Sequence, residues 1–231
     1  MTELVAGLVA GRAARGAAMT DLGFACLDVR PDPFAASPTL VFRLRLTETG
    51  GAVVQALALR CQIRIEPQRR RYTREEAVLL GDLFGDRSRW GDTLRALQFA
   101  NVSAMVPGFT GVTETDLQVP VTYDLEVAAS KYFAALDDGE IPLILLFSGT
   151  VFTRTAQGMS VEQVPWDREV RHRLPVAVWR ELMDRCFPGE GWVRLSRETL
   201  RALHRFKSAR ALATWDDAVE ALLAQAEEAA R

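Results

Sequence analysis

Side chains able to do chemistry are few and scattered in this chain. Cys26, Cys61 and Cys186 lie far apart and share no CxxC-like spacing. That fits neither a structural zinc site nor a secreted disulfide scaffold. The two histidines are His172, inside Arg171-His172-Arg173 on a strand-like run, and His204, beside an apolar helical stripe. A metal site would need both to converge with dispersed cysteines, so neither a metal nor any other cofactor is expected. No HExxH, phosphate-cradling Gly-rich loop, dinucleotide GxGxxG or nucleophile elbow occurs. Phe147-Ser148-Gly149-Thr150 lacks the flanking glycine of an elbow and falls in mid-strand. Cys186 closes a helix beside Arg185 but has no evident His or Cys partner to activate it. Asp137-Asp138 and Asp216-Asp217 read as turn and cap residues, and Asp124 with Glu126 as a solvated strand face. No catalytic residue is assigned, and the pattern weighs against an enzyme.

Charge density is the feature that stands out. Six arginines (60, 64, 69, 70, 71 and 74) fall within one stretch that holds Glu66 and runs up to Glu75 and Glu76. With Arg43 from the preceding strand they form a candidate partner-binding face: Arg43, Arg60, Arg64, Arg69, Arg70, Arg71 and Arg74. Guanidinium forks match carboxylates and phosphates and also stack on aromatic rings. The bland reading is a solvated sheet face in an Arg-rich chain, since all 28 basic residues except Lys131 and Lys207 are Arg. Nucleic acid is not expected: the formal net charge is −2 and only Tyr72 interleaves the basic run. A second reading places a small-molecule or catalytic pocket between sheet and C-terminal helices, lined by Trp90, Tyr123, Tyr132, Trp166 and Trp179. Such aromatic residues also serve as ordinary core.

These groups must be carried by a β-rich body. The 231 residues are 48% apolar and 25% charged, an ordinary globular composition. The longest clean apolar run, 141–147, is too short to span a bilayer and suits a buried strand. The cytoplasm is the simplest setting. Residues 1–18 lack the basic n-region of a secretory signal and are expected to be a disordered extension or an over-long start before Met19. Leu40, Phe42, Leu44 and Leu46 alternate with Val41, Arg43, Arg45 and Thr47; Val53, Leu57, Leu59, Cys61, Ile63 and Ile65 share one face of the next run. Gly50-Gly51 between them predicts a tight hairpin that sets Leu44 against Leu57, Phe42 against Leu59 and Leu40 against Cys61. In that register Arg43 and Arg60 are diagonal neighbours.

Thr73 and Glu76 form a capping-box pattern, which predicts a helix over 74–84 stopped by Gly85. Further strands are expected at 94–106, 116–128, 142–152, 159–166 and 167–174, with a helical turn near 130–136. From Pro175 the period changes, and helices are expected to about Arg185, from Ser196 to about Arg210, and from Thr214 onward. The fold class is α+β: an antiparallel β-sandwich-like domain over 19–174 with an inserted short helix, then a C-terminal helical region over 175–231.

The strings LRCQIRIEPQRRRYTREE, LLGDLFG, RWGDTLRAL, VTYDLEVAASKYFAALDDGEIPLILLFSGTVF and ATWDDAVEALL resemble a bacterial family of unknown function found chiefly in actinobacteria. The resemblance runs from about Asp21 to the C-terminus. It carries no assigned chemistry, so no functional residue transfers. It implies an accessory or assembly role beside nickel–iron uptake hydrogenases and their maturation factors. The partner that the resemblance implies is therefore a protein, a hydrogenase subunit or a maturation factor.

Overall fold

The computed structural model describes residues 20–122, 124, 127–155, 158–189 and 193–230; the expectation for residues 1–18 falls outside them. The described strands form two antiparallel sheets. In the first, β1 (Leu22–Pro31) and β5 (Val112–Pro120) flank β2 (Thr39–Glu48). In the second, the order is β4 (Leu97–Thr110), β3 (Val53–Ile65) and β6 (Glu140–Thr155). The far edge of β6 is shared. β7 (Gly158–Gln163) pairs with its C-terminal half and β8 (Glu169–Pro175) with its N-terminal half.

Both alternating runs bury the faces that their period assigns, Leu40, Phe42, Leu44 and Leu46 on β2 and Leu57, Leu59, Cys61, Ile63 and Ile65 on β3, except at the start of β3, where an irregularity between Val54 and Ala56 leaves Val53 exposed and buries Val54. The hairpin between them does not form. Leu44 pairs with Cys26 and Thr115, whereas Leu57 pairs with Val106 and Val151. A period of two decides which face is buried and leaves open which edge is paired. Here the two apolar faces share one core from opposite sheets, so Arg43 and Arg60 are not neighbours. The link between the sheets is held by Glu48, itself buried, whose carboxylate accepts hydrogen bonds from the N–H groups of Gly50 (2.9 Å) and Ala52 (2.8 Å). Gly51 takes φ +79° there, a conformation that favours glycine.

Helices enter after β3. Thr73 caps α1 (Arg74–Leu79) in a capping box with Glu76, and α2 (Gly81–Phe84) ends at Gly85 with φ +72°. Two further short helices, α3 (Trp90–Thr93) and α4 (Ala128–Ala134), follow. β5 ends at Pro120, earlier than the alternation of Leu117, Val119, Val121, Tyr123, Leu125 and Val127 predicts; Leu117, Val119 and Val121 are buried, Val127 is exposed at the N-cap of α4, and Tyr123 and Leu125 lie outside the described residues. Pro175 caps α5 (Val176–Cys186) instead of opening it, and α5 sends Val176 and Leu182 into the sandwich core. α6 (Arg197–Ala209) and α7 (Trp215–Ala229) pack on each other, and neither contributes a described residue to that core. The architecture is α+β. No helix among the described residues is long and apolar enough to cross a membrane.

Candidate functional site

The two sheets differ in how they treat their outward arginines. On the first sheet every guanidinium in the central ladder meets an acid. Arg43 Nε lies 3.1 Å and Arg45 Nη2 2.8 Å from the Glu114 carboxylate, and Arg30 Nη2 lies 2.7 Å from Asp116. Register explains this, because β5 places Asp116 opposite Arg43 and Glu114 opposite Arg45. The Arg45 and Arg43 guanidiniums hold the Glu114 carboxyl below the usual carboxylate range. This face is charge-neutralised, and Arg43 belongs to it.

On the outward face of the second sheet such pairing is confined to the β6–β8 edge, where Arg171 meets Glu169 at 2.8 Å and Arg173 meets Glu140 at 3.3 Å. Arg60 stands between Ser103 on β4 and Ser148 on β6, and Arg64 between Gln98 and Ile144. Neither has an ion-pair partner among the described residues. One row further along, Ala58 is flanked by Met105 and Thr150, and the next row runs Pro107, Ala56, Phe152, Val161. Met105, Met159 and Val161 are exposed. A shallow groove of about 320 Å³ crosses this face between Ala58, Arg60, Ser103 and Met105. Arginine and methionine around an apolar strip is the composition of a protein-binding patch.

At the other end of the same face, Arg171 on β8 flanks Ile144 opposite Arg64. Its Nε sits 3.4 Å from Glu66, which also receives Arg69 at 3.6 Å. Arg171 was not among the sequence candidates. Its place on a strand-like Arg-His-Arg run was readable, but its adjacency to Arg64 through β6 was not.

Arg70 does something else. Its guanidinium is inside the protein, ion-paired to buried Glu76 and donating to the carbonyls of Glu140 (2.9 Å) and Asp138 (2.6 Å). It is a tie between α1 and the start of β6. Arg71 and Arg74 are exposed at the entry to α1. Of the seven sequence candidates, the open sheet face brings together Arg60 and Arg64, with Arg69 at its margin.

The four described members of the aromatic set, Trp90, Tyr132, Trp166 and Trp179, do not line one pocket. Trp90 and Tyr132 are core residues joined by Tyr72 and Phe84 in a chain of edge-to-face contacts with ring centroids 5.3–6.3 Å apart. Tyr132 and Tyr72 hydroxyls meet at 2.8 Å. Burial pushes the Tyr72 phenol up to about 12 and raises that of Tyr132 as well. Trp179 packs on Phe133 at 5.9 Å. Trp166, on the loop between β7 and β8, is 93% exposed, and Tyr123 lies outside the described residues.

The nucleophile candidates are equally occupied. Burial pushes the Cys26 and Cys61 thiols up to about 12. The His172 imidazole is held below its usual value by burial, against the opposing pull of Asp28 and Glu140. Among the described residues no three His, Cys, Asp or Glu side chains converge as a metal site would require. Gly149 serves backbone packing: at φ +149°, a Cβ there would fall 2.1 Å from the Ala58 carbonyl oxygen. A cleft of about 240 Å³ between residues 32–38 and the end of α5 contains Cys186 and Arg185, the latter paired to Glu181 at 2.6 Å.

A family model described as a family of unknown function matches residues 19–231. The chain belongs to DUF6084. No curated protein matches the DUF6084 chain. Among solved structures, the protein solved under the name ApaA from Bordetella pertussis is 15% identical, over 68% of this chain and 95% of that one, with a TM-score of 0.28. A late embryogenesis abundant protein is 13% identical over 67% and 72%, also at 0.28. β-Glucosidase 3B from Thermotoga neapolitana is 11% identical over 67% of the DUF6084 chain and 17% of its own, at 0.25. Likenesses this low carry no argument about function.

Proposed function

We propose that this chain is a non-enzymatic accessory protein that docks an acidic protein partner on the open face of its second sheet. The supporting observation is the contrast between the sheets. Arg30, Arg43 and Arg45 are matched by acids of their own sheet, while Arg60 and Arg64 present unmatched guanidiniums on a face that also exposes Met105, next to Arg60, and Met159 and Val161 at its far end. Apolar area supplies the affinity of such a patch, and the charges steer and select the partner. The partner that the family resemblance implies is a subunit or maturation factor of a nickel–iron uptake hydrogenase, met in the cytoplasm. The test is affinity purification of the tagged chain from its native cells with mass spectrometry. Hydrogenase polypeptides recovered by the wild type and by R43E/R45E, and lost with R60E/R64E, support the reading. Recovery of the chain alone, or capture indifferent to R60E/R64E, overturns it.

A further inference from the structure

We propose that the α6–α7 hairpin joins two copies of this chain, the hairpins combining as a four-helix bundle. Both helices are firmly started. Ser196 Oγ accepts from the Thr199 N–H at 3.0 Å, and Thr214 and Asp217 exchange capping-box bonds of 3.0 and 2.8 Å. Their mutual packing is thin. His204 and Lys207 reach the Trp215 ring at 5.9 and 5.7 Å, and Ala218 is the one fully buried side chain among the described residues of the pair.

An apolar stripe is left over. Trp215, Val219, Leu222 and Leu223 recur at three- and four-residue spacing on α7 and are 39–59% exposed, as is Leu200 on α6 at 46%. Helices of 13 and 15 residues are marginal in water unless such a stripe is covered.

Charge decides what covers it. α7 carries Asp216, Asp217, Glu220, Glu227 and Glu228 and no basic residue, while α6 carries Arg197, Arg201, Arg205 and Lys207 against Glu198 alone. A single acidic or basic helix would suit only one of the two. A second copy suits both, because a two-fold axis sets each α7 against the partner's α6, and an isologous interface must be self-complementary. α7 against α7 would oppose five acids to five, so the bundle alternates acidic and basic helices. The inference is independent of the proposed docking face.

The test is the mass of the full chain in solution, by light scattering and sedimentation equilibrium over the micromolar range. The expected result is twice the chain mass, falling to the single mass for L222E/L223E while the sandwich keeps its cooperative thermal transition. Should that variant lose the helical signal of the hairpin, L223Q, at the most exposed position of the stripe, reads the same dissociation. R201E/R205E is expected to weaken association at least about tenfold, since it sets like charges against the partner's α7. A single mass for the wild type at every concentration overturns the proposal. So does a doubled mass that L222E/L223E and L223Q leave intact.

Discussion

Arg70 and Glu76 form an ion pair almost wholly removed from solvent, with side chains 9% and 2% exposed. The Glu76 carboxylate also accepts from the N–H groups of Thr73 (3.0 Å) and Asp137 (3.0 Å). One carboxylate thereby caps α1, holds the guanidinium and anchors the residues that lead into β6. Breaking such a pair from one side leaves the other charge buried and unmatched. Glu76→Ala is expected to cost about 3–5 kcal/mol, read as a lowered urea midpoint at unchanged slope. A loss below about 1 kcal/mol would show that the pair is not the tie described. Charge reversal at Arg70 would report on folding before it reported on any partner.

Glu114 anchors the neutralised ladder of the first sheet. Its carboxyl is held below the ordinary 4.5 by Arg45 and Arg43, so folding favours its ionised form. The contribution is present in full above the unfolded value and is lost as pH falls through the folded one. Stability of the wild type should therefore decline more steeply below about pH 4.5 than that of Glu114→Gln. Parallel acid limbs in denaturant titrations of the two proteins would contradict the ladder.

The thiols should separate by reactivity. With Cys26 and Cys61 pushed up to about 12 by burial, the thiolate fraction at neutral pH is very small. Cys186, half-buried at the end of α5, is expected to take up a maleimide first, with Cys26 and Cys61 following only on unfolding. Peptide mapping after a short labelling pulse distinguishes the three.

Gly149 tests the contact between β3 and β6. Gly149→Ala forces a Cβ to 2.1 Å from the Ala58 carbonyl oxygen in a backbone region that side chains avoid. It should cost on the order of 3 kcal/mol or more, by strain and by displacement of the strand. Gly91→Ala, where no atom lies within 4 Å of the added carbon, should be neutral or stabilising because it sits in α3. Equal thermal midpoints for the two variants would refute the close approach.

What the sequence makes legible here is local. Thr73 with Glu76 announces a helix start because both partners of the capping box lie within one turn. Leu40 to Leu46 announces a buried strand face because the period is written in consecutive residues. Pairing is not local. Gly50-Gly51 invites a hairpin, yet the strands it joins find better edges elsewhere, and Glu48 steadies the crossing. The same limit governs the site. Arg43 and Arg60 both read as outward strand arginines, and only the partners supplied by β5 and β4 separate a neutralised one from an unmatched one. Arg70 reads as one more member of a basic run until the carbonyls of Asp138 and Glu140 are seen to enclose it. Composition likewise could not separate Tyr132, at the centre of an aromatic core, from Trp166 on an open loop.

The shared strand β6 has a consequence for how the chain is made. β3 is paired along its length by β6, from Val53 with Arg154 to Ile65 with Leu143. During synthesis, which runs from the N-terminus, Leu57, Leu59 and Ile63 are complete long before the strand that covers their edge has been translated. β4 can join β3 early, but the second sheet cannot close until β6, and then β7 and β8, have left the ribosome. In that interval a nascent chain carries an unpaired strand edge beside an apolar face, the combination most prone to adhere to neighbouring chains. A slow stretch of translation just after β8, or a chaperone held near the exit tunnel, would act on this protein at the moment its architecture makes it most vulnerable.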